Sequence, residues 1–159
     1  MPAKLNYDFE EYFKLELLDG YGITETSTMV TMNWSGKERN MGSCGLPLPG
    51  MTVRIVNGND LDVKPGEEGE LICRGPNVMI GYHKKENETD KILKNGWYYT
   101  GDLAKQDLNG FITITGRLKE IIIRGGQNIS PTEVEEAILK NSKILDLSLI
   151  HISEPTRLD

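Results

Sequence analysis

Residues 95–117, NGWYYTGDLAKQDLNGFITITGR, decide the fold. Trp97 to Thr100 and Phe111 to Thr115 are runs of aromatic and β-branched residues, and each follows an Asn-Gly pair, at 95–96 and 109–110. Asn-Gly accepts the positive φ angles of a tight hairpin, so the pattern predicts short strands joined by turns. The same texture extends upstream: Thr52 to Val56 runs into Asn57-Gly58, and Glu70 to Arg74 lies between Gly69 and Gly75-Pro76. Strands this closely spaced predict a small barrel or sandwich over residues 51–117, with one helical insertion around Glu86 to Leu93.

On the N-terminal side, Leu5, Phe9, Tyr12 and Phe13 recur at helical spacing, opposite Lys4, Asp8, Glu10 and Glu11. Leu15 to Leu18 reads as a buried strand, followed by Gly20 and Gly22 around Tyr21 and then a Thr/Ser run. A strand that enters a glycine-punctuated loop is where α/β sheets place ligands. On the C-terminal side, Glu120 to Arg124 reads as a strand and Gly125-Gly126 as a turn. Ser130-Pro131-Thr132-Glu133 then combines three helix-start signals: a capping Ser, Pro at the first helical position and a capping-box Glu. Val134, Ala137 and Ile138 form the expected apolar face of that helix.

Composition narrows the class. The chain has 159 residues, with 18 Lys and Arg against 24 Asp and Glu, a formal charge of −6; hydrophobic residues are 38% and charged residues 26%. This excludes a disordered chain, a collagen and a coiled coil. An acidic balance without basic clusters argues against nucleic acid or an anionic membrane as partner. No apolar run approaches the roughly 20 residues of a membrane span. Cys44 and Cys73 make neither a disulfide framework nor a metal knuckle, so a reduced, cytoplasmic protein is expected. Cys44 reads as an inert thiol, Cys73, Trp34 and Trp97 as packing residues, and His83 as a surface residue.

Three constellations carry chemistry. In Tyr21-Gly22-Ile23-Thr24-Glu25-Thr26, the glycine lets a ligand approach the backbone, and the Thr24 hydroxyl suits a phosphate oxygen. In the same run the Glu25 carboxylate suits Mg²⁺, and Tyr21 offers a face to a flat base. Taken alone, the run is also a loop that caps a helix. In Tyr99-Thr100-Gly101-Asp102, a carboxylate at a strand end can accept from both hydroxyls of a ribose; it can equally fix a turn. In Gly116-Arg117-Leu118-Lys119-Glu120, followed by Arg124-Gly125-Gly126, Arg117 offers a forked donor to ribose or phosphate. The charged boundary there suits a hinge, or simply a solvated strand end and a hairpin.

The ordered set of these motifs, with GSCGLPLPG at 42–50, GEEGEL at 66–71 and RGGQNISP at 124–131, resembles the adenylate-forming enzymes from about Leu5 to about Lys140. That superfamily includes acyl-CoA synthetases, luciferase-like proteins and peptide-synthetase adenylation domains. Ser130-Pro131, where the peptide-synthetase domains carry Glu-Leu, is more similar to the acyl-CoA synthetases. The resemblance implies a mixed α/β fold. Residues 1–50 would end an α/β sheet subdomain, 51–117 form a β-barrel-like subdomain, and 118–146 begin an α+β C-terminal domain. It also implies an acid–thiol ligase: a carboxylate attacks the α-phosphate of ATP, releasing pyrophosphate, and coenzyme A then displaces AMP.

By that resemblance Tyr21 and Gly22 receive adenine, with Asp19 at the base edge. Thr24 contacts phosphate and Glu25 holds Mg²⁺, both at the reacting end. Asp102 and Arg117 hold the ribose, Lys119 is the hinge, and Arg124, Gly125 and Gly126 line the pantetheine path. The resemblance further implies that a phosphate loop upstream and a lysine downstream lie outside the chain, so that the chain alone does not turn over and tends to aggregate. Residues 147–159 depart from the family pattern and read as a non-native tail. A non-catalytic nucleotide-binding fragment, or an adenylation domain that loads a carrier protein, are the other functions compatible with the motifs.

Overall fold

The computed structural model describes residues 3–124, 127–141, 143–144 and 147–149. Helix α1 (Ala3–Phe13) leads into a three-stranded antiparallel sheet of two-residue strands, β1 (Gly20–Tyr21), β2 (Thr31–Met32) and β3 (Leu46–Pro47). A 3-10 turn, Thr24–Thr26, lies between β1 and β2. The second sheet contains β4 (Thr52–Val56), β5 (Glu68–Arg74), β6 (Leu93–Lys94), β7 (Trp97–Gln106) and β8 (Ile112–Arg117), with helix α2 (Glu86–Ile92) inserted before β6. Its order is β4-β5-β7, with β6 on the first part of β7 and β8 on the second, all antiparallel. Register shifts on both sides of β7 curl it into a half-barrel. After a 3-10 turn (Leu118–Glu120), β9 (Ile122–Arg124) and β10 (Gln127–Ile129) form a hairpin ahead of α3 (Pro131–Leu139).

The half-barrel stands where the Asn-Gly turns place it, and the β7–β8 hairpin closes through Asp107, whose carboxylate accepts from Asn109 and Phe111 amides. β5 is central, with Leu71, Ile72 and Cys73 all buried. Leu71 and Cys73 join Ile55, Tyr98, Ala104 and Ile112 in a core that also takes Val30 from the first sheet. Tyr21 and Ile23 pack against that core, so the first motif loop is fixed to the barrel by apolar burial.

Several expectations are corrected. Leu15 to Leu18 forms no strand, and Leu15 is 64% exposed. Lys14 at φ 56 turns the chain out of α1, and the Leu17 amide and carbonyl then bond to the Glu10 and Arg39 side chains instead of a ladder. Leu5, Tyr12 and Phe13 of α1 are exposed; the residue it buries is Asn6, whose amide donates to Asp19 at 2.8 Å. Trp34 is exposed rather than packed, whereas the guanidinium groups of Arg54 and Arg74 both lie against the Trp97 ring. Residues 118–120 are a 3-10 turn, so the strand expected from Glu120 begins only at Ile122. Ser130 does precede α3, but its hydroxyl donates to the Thr115 carbonyl at 3.2 Å and accepts from no helix amide. On the expected apolar face of α3, Val134 is half-buried, whereas Ala137 and Ile138 are exposed. Gly125, Gly126, the Glu133 side chain and residues 150–159, His151 among them, lie outside the described residues. His83 is exposed and Cys73 buried, as expected, and Cys44 is buried as well.

Candidate functional site

The site begins with an irregularity in β7. Glu70 pairs with Leu103 and Ile72 with Tyr99, so Leu71 alone faces Thr100, Gly101 and Asp102. The backbone groups freed by this bulge need other partners. The Thr100 hydroxyl donates to the Leu71 carbonyl at 2.7 Å and accepts from the Asp102 amide at 3.0 Å. The Gly101 amide donates to Glu70 Oε1 at 3.0 Å. Gly101 has φ 73, which glycine adopts without the penalty a side chain brings. The result is that Asp102, Leu103 and Ala104 are buried in succession, and the Asp102 carboxylate is turned inward.

That carboxylate joins two distant regions. Its Oδ2 accepts from the Tyr21 hydroxyl at 2.5 Å, across 81 positions of sequence, and its Oδ1 accepts from Arg117 Nε at 2.7 Å. Asp102 and Arg117 are also ladder partners of β7 and β8, which fixes the pair at the level of the backbone. The side chain of Asp102 is 4% exposed and that of Arg117 58%, so a buried anion is met by a cation that reaches into solvent. Burial, and then the Asp102 carboxylate, push the Tyr21 phenol well above its ordinary range. The Asp102 charge, through both Coulomb attraction and the hydrogen bond, raises Arg117 further.

In front of this chain of contacts lies a cleft of about 420 Å³, lined by residues that include Ile23, Glu25, Tyr82, Thr100, Arg117 and Lys119. Glu25 enters it from the 3-10 turn, and Lys119 from the turn after β8. Thr24 is exposed beside Glu25 on the same turn. Gly22 is exposed and indispensable to that turn, because a Cβ there would sit 1.2 Å from the Thr28 carbonyl oxygen.

The structure thus brings Tyr21, Glu25, Asp102, Arg117 and Lys119 to one place. Asp19 is set apart: its buried carboxylate accepts from Asn6, and its carbonyl from the Asn33 amide at 2.9 Å, so it anchors the strand that carries Tyr21. Arg124 lies at the end of β9, and Gly125 and Gly126 are outside the described residues.

Three contributors have no local signal. Glu70 acts on Gly101 across 31 positions, and Thr100 acts through a register that sequence does not reveal. Tyr82, whose hydroxyl donates to Glu25 Oε1 at 2.6 Å, lies 57 positions from its partner. Thr100 and Glu70 stand inside quoted motifs but with no role of their own there, and Tyr82 stands in none.

The donor set bears on Mg²⁺. Among the described residues, no group of three His, Cys, Asp or Glu side chains is placed to hold a metal alone. Mg²⁺ keeps several waters and usually takes one or two carboxylates plus substrate phosphates, so a single Glu25 lining an open cleft fits a cation delivered with a polyphosphate.

Residues 1–83 match the AMP-binding enzyme family. The long-chain-fatty-acid–CoA ligase of Salmonella typhimurium is 38% identical over 155 residues, 96% of this chain and 28% of the relative. The anthranilate CoA ligase in complex with anthranoyl-AMP superposes with a TM-score of 0.84 at 27% identity, over 96% of this chain and 29% of that one. The O-succinylbenzoate coenzyme A synthetase of Bacillus subtilis, in complex with ATP and magnesium ion, superposes with a TM-score of 0.80 at 31% identity, over 92% and 30%. The chain therefore spans less than a third of the length of the relatives it matches.

Proposed function

We propose that this chain, which belongs to the AMP-binding enzyme family, carries the nucleotide-holding part of an AMP-forming acid–CoA ligase acting on fatty acids in the cytoplasm. The observation that carries this reading is the Tyr21–Asp102–Arg117 chain of hydrogen bonds behind a cleft that also contains Glu25. The reaction has two halves. A carboxylate oxygen attacks the α-phosphorus of ATP and pyrophosphate leaves, giving acyl-AMP. The sulfur of coenzyme A then attacks the acyl carbon, and AMP leaves.

The residues divide this work by chemistry. The Tyr21 ring packs on adenine, where Gly22 leaves no side chain in the way. Asp102 accepts from the ribose hydroxyls, and Arg117 keeps its terminal nitrogens for ribose or phosphate while Nε holds Asp102. The Thr24 hydroxyl donates to a phosphate oxygen. Glu25 would hold Mg²⁺, which would offset the negative charge that builds on the phosphates. Lys119, in the turn that leaves the barrel, is the hinge about which residues from 118 onward reorient between the two halves. Arg124, Gly125 and Gly126 border the pantetheine arm. The relatives named as CoA ligases support coenzyme A over a carrier protein as acceptor.

AMP titration of the chain by calorimetry, with Asp102→Ala beside it, tests the reading. Saturable binding by the native sequence and its loss in D102A are expected. No binding by the native sequence, or equal binding by both, overturns it.

A further inference from the structure

Tyr82 belongs to a segment that straps the barrel to the first motif loop. The Ser27 hydroxyl donates to the Asn77 carbonyl at 3.0 Å, and Asn77 Nδ2 to the Met29 carbonyl at 2.7 Å. The Met79 amide donates to the Glu25 carbonyl at 2.8 Å. Residues 77–79 are thereby laced to residues 25–29 along the backbone. Tyr82 is tied from the other side: its amide donates to Thr89 Oγ1 at 2.9 Å, and the Thr89 hydroxyl donates to the Lys85 carbonyl at 2.9 Å, within the first turns of α2. With its backbone held there, the Tyr82 phenol reaches Glu25 Oε1 at 2.6 Å. Both side chains line the cleft.

The geometry points to Tyr82 as a positioning residue that fixes the Glu25 carboxylate for a divalent cation, an inference that rests on the nucleotide-site reading above. A free glutamate samples many rotamers. One oxygen tethered to a phenol on a rigid strap leaves the other aimed in a single direction. Among the described residues Glu25 accepts a side-chain hydrogen bond only from Tyr82, which leaves Oε2 for the cation. Outer partners that orient a ligating group typically contribute about 10- to 100-fold in metal affinity. The bond to Glu25 raises the Tyr82 phenol above its ordinary value, so the phenol is the donor of the pair.

The test compares the native chain with Tyr82→Phe, Glu25→Gln and the double variant. With Mn²⁺ alone, paramagnetic broadening of amide signals is expected around residue 25, weaker in Y82F at each Mn²⁺ concentration and absent in E25Q. With nucleotide, Y82F is expected to weaken ATP binding in saturating Mg²⁺ about tenfold more than AMP binding without metal, and to add nothing in the E25Q background. Equal losses for the two nucleotides would assign Tyr82 a merely structural role and overturn the inference, as would Mn²⁺ broadening that is unchanged or stronger in Y82F. Failure of the native chain to bind AMP would count against the nucleotide reading, while the Mn²⁺ comparison would still decide Tyr82.

Discussion

Replacing Tyr21 by Phe removes one oxygen and separates two contributions of the side chain. In the native protein that hydroxyl donates at 2.5 Å to Oδ2 of a carboxylate whose side chain is 4% exposed. A hydrogen bond to a charged group contributes about 1.5–3 kcal/mol, and a buried carboxylate oxygen left short of a donor keeps the cost of its desolvation. Arg117 remains on Oδ1, which limits the loss. The phenol also recovers its own desolvation cost when it becomes a phenyl ring, since burial is the largest influence on Tyr21. The net destabilisation is therefore about 2 kcal/mol, equivalent to roughly 4–8 °C in Tm for a chain of this size. On the proposed stacking of adenine on Tyr21 the ring is unchanged, so AMP affinity in Y21F is expected to fall by less than about threefold. In Tyr21→Ala the stack is lost as well, and base–aromatic stacking contributes about 1–3 kcal/mol per base, or roughly 5- to 150-fold in affinity. Urea denaturation followed by circular dichroism gives the first quantity, and calorimetric AMP titration the second. A Y21F variant as stable as the native chain, or one that loses AMP as completely as Y21A, refutes the division of roles.

Other expected outcomes concern the frame around the site. Gly22→Ala forces a Cβ against the Thr28 carbonyl, so the 3-10 turn must rebuild; a loss of about 3 kcal/mol in denaturation is expected, and a neutral variant would show that the turn moves freely. Glu70→Ala removes the acceptor of the Gly101 amide while Glu70→Gln keeps one, so hydrogen exchange at Gly101 should accelerate in E70A alone. Burial raises the Glu70 carboxyl above its ordinary 4.5, partly opposed by the Gly101 amide. A raised acid stabilises the fold fully below 4.5 and loses that contribution as pH climbs through the folded value; E70Q should therefore flatten the stability–pH curve in the window just above 4.5, and an unchanged slope would refute this. Burial pushes the Cys73 thiol up to about 12 and also raises Cys44, so both should resist alkylation at pH 8 until denaturant is added; rapid labelling of the native chain would contradict this.

The legible parts of the fold were those governed by local rules. Asn95-Gly96 and Asn109-Gly110 mark hairpin turns because each pair satisfies a backbone requirement inside a few residues. Where the partner is distant, sequence misleads. Leu15 to Leu18 has strand composition, but its backbone is taken by Glu10 and Arg39. Ser130 stands at a capping position, but a carbonyl of β8 holds its hydroxyl. Asn6 is buried in a helix whose aromatic residues are not, because Asp19 provides the partner that a buried amide requires. Similar logic applies to the site. Tyr21, Asp102 and Arg117 each had an ordinary structural explanation when read singly, and only their order along the chain pointed to one ligand. The contacts of Glu70, Thr100 and Tyr82 could not be found in this way, even though the first two stand inside quoted motifs, since they depend on register and on partners 29 to 57 positions away.

The bulge in β7 shows why the site and the least regular part of the barrel coincide. A regular strand would alternate Asp102 and Leu103 between opposite faces, so that burying one would expose the other. Setting three residues against Leu71 breaks the alternation and buries the carboxylate together with Leu103 and Ala104. The freed backbone groups are then recovered by a hydroxyl and a carboxylate, at Thr100 and Glu70. Those two side chains contribute nothing a uniform ladder would need; what they maintain is the direction of Asp102. A strand built only for stability would have no use for this arrangement, whereas one that must present an acid to both Tyr21 and Arg117 requires some such departure from regular pairing. The local departure from the strand pattern thus turns the Asp102 carboxylate toward Tyr21 and Arg117.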